Sequence, residues 1–269
     1  MPTATVARHL PAILLTGFLG AGKTTFLNAM LAHLRTQPER VCLIINEFGR
    51  IGIDGGLVTP GPETIHEVNA GSIFCACTRD QFLKALDRAA AAVPAFDLLI
   101  LEATGLANTA DLGTYIEEPP IGGRIAIVQN FCLVDAANFH KVRKTLPAAS
   151  HQVREAGVLV VNKTDLVPPE RLDALEADLR TLNTHAPILR VTHGHADFPA
   201  LFGSSAPTAG WTSETGLSVA PPEGVMSASL EASERLDPAE FRRFLEEIPA
   251  GLLRGKGTVW LGDSPVYVE

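Results

Sequence analysis

Cysteine is scarce in this sequence: Cys42, Cys75, Cys77 and Cys132 are the only four among 269 residues. A disulfide scaffold needs a denser supply, so the core must hold the fold, and a reducing cytoplasm is the expected setting. Positive charge is also short, with 22 Lys and Arg against 30 Asp and Glu and a formal net charge of −8. That balance argues against a general affinity for nucleic acid or an anionic membrane, so any anion must be met by a local site. No apolar run approaches the roughly 18 residues that span a bilayer. Leu10 to Ala21 has the look of a signal-peptide core after Arg8 and His9. It runs into Gly22-Lys23-Thr24-Thr25 with no small-residue cleavage site obvious before it, so export is not expected. There is no long histidine tract for metal storage and no evident internal repeat.

What remains is ordinary globular composition, 46% hydrophobic and 19% charged, well away from the disordered range. Short apolar runs at Ala12–Thr16, Val41–Ile45, Leu98–Leu101, Ile125–Val134 and Val158–Val161 read as strands buried on both faces. Between them lie helical patterns: Phe26, Leu27, Met30, Leu31 and Leu34, then Gln81–Ala91 and Arg171–Leu182. Strands alternating with helices predict an α/β fold with a mainly parallel sheet covered on both faces, and a ligand at the carboxyl ends of the strands. Residues 1–198 are expected to form this domain. Residues 199–224, rich in Gly, Pro, Ser and Thr, read as a linker. Residues 225–269 read as a small α+β domain: strands at Met226–Leu230, Thr258–Leu261 and Val266–Val268, with a helix opened by Asp237-Pro238-x-Glu240. So small a unit is expected to dock on the first or to be incomplete.

Gly17-Phe18-Leu19-Gly20-Ala21-Gly22-Lys23-Thr24, followed by Thr25, has the P-loop spacing between a strand and a helix. Its glycines let backbone N–H groups face phosphate oxygens at the positive end of the helix. Lys23 should reach the β- and γ-phosphates and the Thr24 hydroxyl should bind Mg²⁺. Asn162-Lys163-Thr164-Asp165 follows an apolar strand late in the sheet. The Asp165 carboxylate can accept hydrogen bonds from guanine N1–H and the 2-amino group, a donor pair adenine lacks, which selects GTP over ATP. Leu98–Leu101 ends in Glu102, with Gly105 three residues on. An acid there can hold Mg²⁺ through water or orient the attacking water, while the glycine amide senses the γ-phosphate.

With Ile45-Asn46-Glu47-Phe48-Gly49-Arg50-Ile51-Gly52-Ile53-Asp54, Glu102-Ala103-Thr104-Gly105, Asn162–Leu166 and Leu253-Arg254-Gly255-Lys256-Gly257, the chain resembles the CobW family, within the group of GTPases that includes HypB and UreG. The resemblance implies a P-loop NTPase fold with a small C-terminal domain. It also implies a GTPase that binds a transition metal, typically Zn²⁺ or Co²⁺, and delivers it to a client metalloprotein or cofactor-synthesis enzyme, with nucleotide-dependent homodimerisation. The chain departs from the family pattern in three places. The family's Gly-Cys-x-Cys-Cys is here Gly71-Ser72-Ile73-Phe74-Cys75-Ala76-Cys77. Two thiolates remain where tetrahedral Zn²⁺ wants four donors; Glu47, His66, Glu67 or a second subunit are the candidates for the rest. Arg50 stands where many relatives have an acid, which excludes a metal ligand at that position. Family members usually continue with further strands after the Lys-Gly segment, so the small C-terminal domain is expected to be incomplete. His193-Gly194-His195 reads as part of a loop near the base rather than a metal site.

On this reading GTP orders the segments Asn46–Asp54 and Gly71–Arg79, which hold metal through Cys75 and Cys77, and hydrolysis releases them. No arginine finger is identifiable, so turnover without a partner is expected to be slow. Two alternatives remain: a GTP-dependent sensor or scaffold for a corrinoid or protein partner with no thiolate metal site, and an ATP-dependent phosphotransferase.

Overall fold

Side-chain alternation decides the position of the first strand. In β1 (Leu10–Gly17), Leu10, Ala12 and Leu14 pack into one apolar layer, and Ile13 and Leu15 into the layer on the opposite face. Only a central strand needs both faces apolar. The computed structural model describes residues 9–46, 64–68, 76–92, 95–103, 109–117, 119, 121–203, 236–247, 257–261 and 264–268. The chain divides into two units, Met1–Ser227 and Ala228–Glu269.

In the first unit β1 is joined by β2 (Val41–Asn46), β3 (Thr64–Val68), β4 (Leu98–Glu102), β5 (Ile125–Asp135), β6 (Val158–Asn162) and β7 (Ile188–Arg190). They form a seven-stranded sheet in the order β3-β2-β4-β1-β5-β6-β7, with every pairing parallel. Helix α1 (Lys23–Leu34) covers one face, burying Phe26, Leu27, Met30, Leu31 and Leu34. These meet Leu43, Ile100, Phe131, Leu133 and Val160 of the sheet. On the other face, α2 (Ala76–Ala91) and α3 (Thr109–Glu117) set Phe82, Leu86, Leu112 and Tyr115 against Cys42, Ile44, Leu99 and Leu101. Helices α4 (Phe139–Thr145), α5 (Pro147–Arg154) and α6 (Pro169–Leu182) continue that layer over Cys132, Val134, Leu159 and Val161. The expected doubly covered parallel sheet is therefore the observed one.

Sequence periodicity overlooked β3, β7, α3, α4 and α5, and also α7 (Phe198–Gly203). Helix α7 begins at the residue where the first domain was expected to end. Its Phe198 is buried, with its ring centroid 5.3 Å from that of Phe26, and His33 stacks on both Phe198 and Phe202. The expected start of α2 needs correction: the helix opens at Ala76, not Gln81. Its apolar period becomes visible only at Phe82, but nothing in Ala76-Cys77-Thr78-Arg79-Asp80 breaks a helix. Cys77 therefore sits in the first turn of a helix, not in a loop.

In the second unit β8 (Gly257–Leu261) and β9 (Ser264–Val268) pair antiparallel. Leu236 bridges Leu261 just before α8 (Pro238–Glu246). Asp237 caps that helix, accepting from the backbone N–H of Ala239 at 2.8 Å and of Glu240 at 3.1 Å, as its sequence predicts. The expected strand at Met226–Leu230 lies outside the described residues.

Candidate nucleotide-binding site

Strand β1 delivers the chain to the turn Gly17–Gly22, and α1 leaves it at Lys23. Two of the glycines are required by close approach as well as by conformation. Gly17 has φ +128, and a Cβ there would lie 2.4 Å from the carbonyl oxygen of Leu133 on β5; Gly22 has φ +95, and a Cβ would lie 2.3 Å from Asn162 Nδ2. No L side chain tolerates both constraints. The turn presents the start of α1, whose first N–H groups have no helical acceptor and form a site for a phosphate. Lys23, only 7% exposed, donates from Nζ to the carbonyl oxygens of Gly17 at 3.0 Å and Phe18 at 3.4 Å. Its ammonium is thus folded back over the loop, where a phosphate would exchange those carbonyls for oxyanions. Thr24 is half-buried in the first turn beside it, and Thr25 is exposed.

Glu102 ends β4, in register with Leu15 of β1, and is 4% exposed. Its neighbour Ala103 donates its N–H to Leu15 O at 2.9 Å. Strand pairing therefore brings a buried carboxylate to the root of the P-loop. The Thr24 hydroxyl and the Glu102 carboxylate are hard oxygen donors of the kind Mg²⁺ takes alongside water and phosphate, so these residues fit the ion that the motif implies.

Asn162, at the tip of β6, is buried and uses both ends of its amide within the protein. Nδ2 donates to Ala21 O at 3.0 Å, and Oδ1 accepts the N–H of Gly194 at 3.1 Å. Gly194, with φ +71, lies so close to α1 that a Cβ there would sit 2.7 Å from Phe26 N. One side chain thus ties the P-loop, the Asn162–Asp165 segment and the His193–His195 loop together. Thr164 adds bonds from Oγ1 to Val191 O at 3.1 Å and to Thr192 Oγ1 at 2.9 Å. Asp165 follows in a single 3-10 turn, Thr164–Leu166, and is exposed.

Sequence reasoning missed Asp135. It closes β5 opposite Asn162 and accepts a bond from Lys163 Nζ at 2.9 Å. The signal was present, because Ile125–Val134 is an apolar strand ending in an acid, the pattern that singled out Glu102.

The residues proposed for a transition metal fall largely outside the described part of the structure. Glu47 and Cys75, like Gly105, lie outside the described residues, and of Cys77, His66 and Glu67 only the backbone is described. Among the described residues no cluster of three or more His, Cys, Asp or Glu forms a metal site. The other two cysteines are structural. Burial pushes the Cys42 thiol up to about 11 and the Cys132 thiol up to about 12, against the smaller opposing pull of Thr16 and Lys23. Neither supplies a thiolate at neutral pH.

The family model described as CobW/HypB/UreG, nucleotide-binding domain, matches residues 11–190, and that of the cobalamin synthesis protein cobW C-terminal domain matches residues 225–268. The zinc chaperone YjiA of Escherichia coli is 29% identical over 94% of this chain and 82% of its own length. The zinc-regulated GTPase metalloprotein activator 1 of Schizosaccharomyces pombe is 30% identical over 70% of this chain, which corresponds to 47% of that protein. Among solved structures, Zn(II)-bound YjiA GTPase superposes with a TM-score of 0.52 at 22% identity, over 96% of this chain and 84% of that one. HypB from Helicobacter pylori in complex with nickel gives 0.51 at 18% identity, over 72% and 85%. These two likenesses show the fold. By the match over residues 11–190, the chain belongs to the CobW/HypB/UreG family of nucleotide-binding proteins.

Proposed function

We propose that this protein is a GTP-binding and GTP-hydrolysing metallochaperone that carries Zn²⁺ or Co²⁺ as cargo to a client metalloprotein or cofactor-synthesis enzyme. The observation that carries the nucleotide half is the Asn162 amide. By bonding Ala21 O and Gly194 N it fixes the base loop beside the phosphate loop, at a spacing set by the sheet and independent of any ligand. Lys23 trades its bonds to Gly17 and Phe18 for the β- and γ-phosphates, and the N–H groups from Gly20 to Thr25 turn on the phosphate oxygens. Thr24 and Glu102 would hold Mg²⁺, Glu102 through water, and the ion would supply neutralisation of the phosphate charge. Glu102 also orients the attacking water. Asp165 reads guanine. No residue is assigned as an arginine finger, so hydrolysis is slow until a partner or a second copy completes the site.

The cargo half rests on Cys75 and Cys77, supported by relatives named as zinc chaperones. Cys77 lies in the first turn of α2. Glu47 is the proposed third donor. Among the described residues no helix is long and apolar enough to cross a membrane, and the proposed setting is the cytoplasm. We retain residues 225–269 as a small C-terminal domain preceded by a linker, and extend the nucleotide domain from residue 198 through α7, which packs on α1.

Anaerobic Zn²⁺ titration of the wild type and of Cys75→Ser/Cys77→Ser, both with GTP and Mg²⁺, tests the cargo site. Loss of two thiolates from one ion is expected to weaken binding by a hundredfold or more, an order-of-magnitude figure for removing half of a tetrahedral set. Equal affinity in the two proteins would leave the sensor or scaffold reading in its place.

A further inference from the structure

Two non-glycine residues among those described adopt positive φ: Lys163 at 61 and His193 at 52. A lysine there needs surroundings that over-determine it. For Lys163 the ammonium end is held at 2.9 Å by Asp135 Oδ2. That carboxylate is itself fixed: Oδ1 accepts the backbone N–H of Ala137 at 2.9 Å and of Asn138 at 3.1 Å, and Oδ2 accepts Asn138 Nδ2 at 3.1 Å. The Asp135 side chain is 11% exposed and that of Lys163 33%. The pair therefore spans two adjacent strand tips, from β6 to β5, with its acid locked in the β5–α4 turn.

We propose that Asp135 is a positioning residue for the purine of the bound nucleotide, acting through Lys163. The inference rests on reading Asn162–Asp165 as the base loop. Strand β5 is paired with β1, Gly17 lying opposite Leu133, so the phosphates enter on the β1 side of β5 and Asp165 stands beyond β6. A purine held between them passes over the β5 and β6 tips. Drawing the Lys163 ammonium to Asp135 lays the lysine methylenes along that path as an apolar floor for one face of the ring. Without Asp135 the ammonium returns to water, the strained backbone loses its tether, and Asp165, two residues on, loses its registration with the guanine edge. Asp135 touches neither base nor phosphate in this account. Its contribution is to the base alone.

The experiment compares ligands with and without a base on the full chain. Binding of GTP, ATP and inorganic tripolyphosphate, each with Mg²⁺, is measured for wild type, Asp135→Asn, Lys163→Met and the double variant. Asparagine keeps the Oδ1 acceptor for Ala137 and Asn138 but not the charge for Lys163. Asp135→Asn is expected to weaken GTP about tenfold, the scale of one charge-assisted hydrogen bond, and to leave tripolyphosphate within about twofold. In the Lys163→Met background it should cost nothing further, since the two act as a unit. Equal loss for GTP and tripolyphosphate, no loss for GTP, or an undiminished cost in the Lys163→Met background each overturns the proposal. Should Asp135→Asn fail to fold, Asp135→Glu, which keeps the charge but shifts it, is read by the same comparison. A wild type that binds ATP as tightly as GTP removes the base-loop reading and this proposal with it; a wild-type preference for GTP that Asp135→Asn leaves unchanged removes the proposal alone.

Discussion

Lys23→Ala is expected to lower affinity for GTP roughly a hundred- to ten-thousandfold, because each charge-assisted hydrogen bond to phosphate contributes about 1.5–3 kcal/mol and Lys23 is placed for two. The side chain is 7% exposed, so it acts where water screens little. It donates to the carbonyl oxygens of Gly17 and Phe18, groups that a phosphate outcompetes through its charge. Those carbonyls can turn to water in the variant, so the fold should survive, and a thermal melt beside the nucleotide titration separates lost binding from lost structure. A drop of less than tenfold with an unchanged melt would mean that the P-loop amides bind phosphate without the lysine, against the present assignment.

Asp165→Asn should change which base is bound. The carboxylate accepts from guanine N1–H and from the 2-amino group; an amide accepts at one position and donates at the other. Xanthine, with an oxygen at C2, matches the amide. Affinity for GTP is expected to fall about a hundredfold and that for xanthosine triphosphate to rise comparably, since an unmatched donor or acceptor at a recognition site costs far more than a lost contact. The exchange should be clean, because Asp165 is exposed in its 3-10 turn and the brace to the P-loop belongs to Asn162. Competition between the two triphosphates reads the result directly, and an unchanged ratio would remove Asp165 as the base reader.

Much of this site was legible because its parts are local. Gly17–Thr25 declares itself by spacing, and Ala12–Thr16 by an unbroken apolar run that only a strand covered on both faces requires. Asp237-Pro238-x-Glu240 likewise predicted the capped start of α8. What was hidden depends on distant pairs. Asn162 bonds Ala21 across 141 positions and Lys163 bonds Asp135 across 28, and no periodicity carries such a relation. Strand β3 escaped because Thr64-Ile65-His66-Glu67-Val68 mixes polar and apolar residues over five positions, and β7 because three residues give no period. Helix α2 was shortened because its first five residues, Ala76 to Asp80, carry no apolar stripe. That omission concealed that Cys77 belongs to a helix.

The central claim is that nucleotide state sets metal affinity, through the segments that include Glu47, Cys75 and Cys77. Zn²⁺ affinity measured anaerobically on the same protein, once saturated with a non-hydrolysable GTP analogue and once with GDP, both with Mg²⁺, tests it most directly. The account predicts tighter binding with the triphosphate by at least about tenfold, a coupling of roughly 1.4 kcal/mol. Identical affinities in the two states would contradict it.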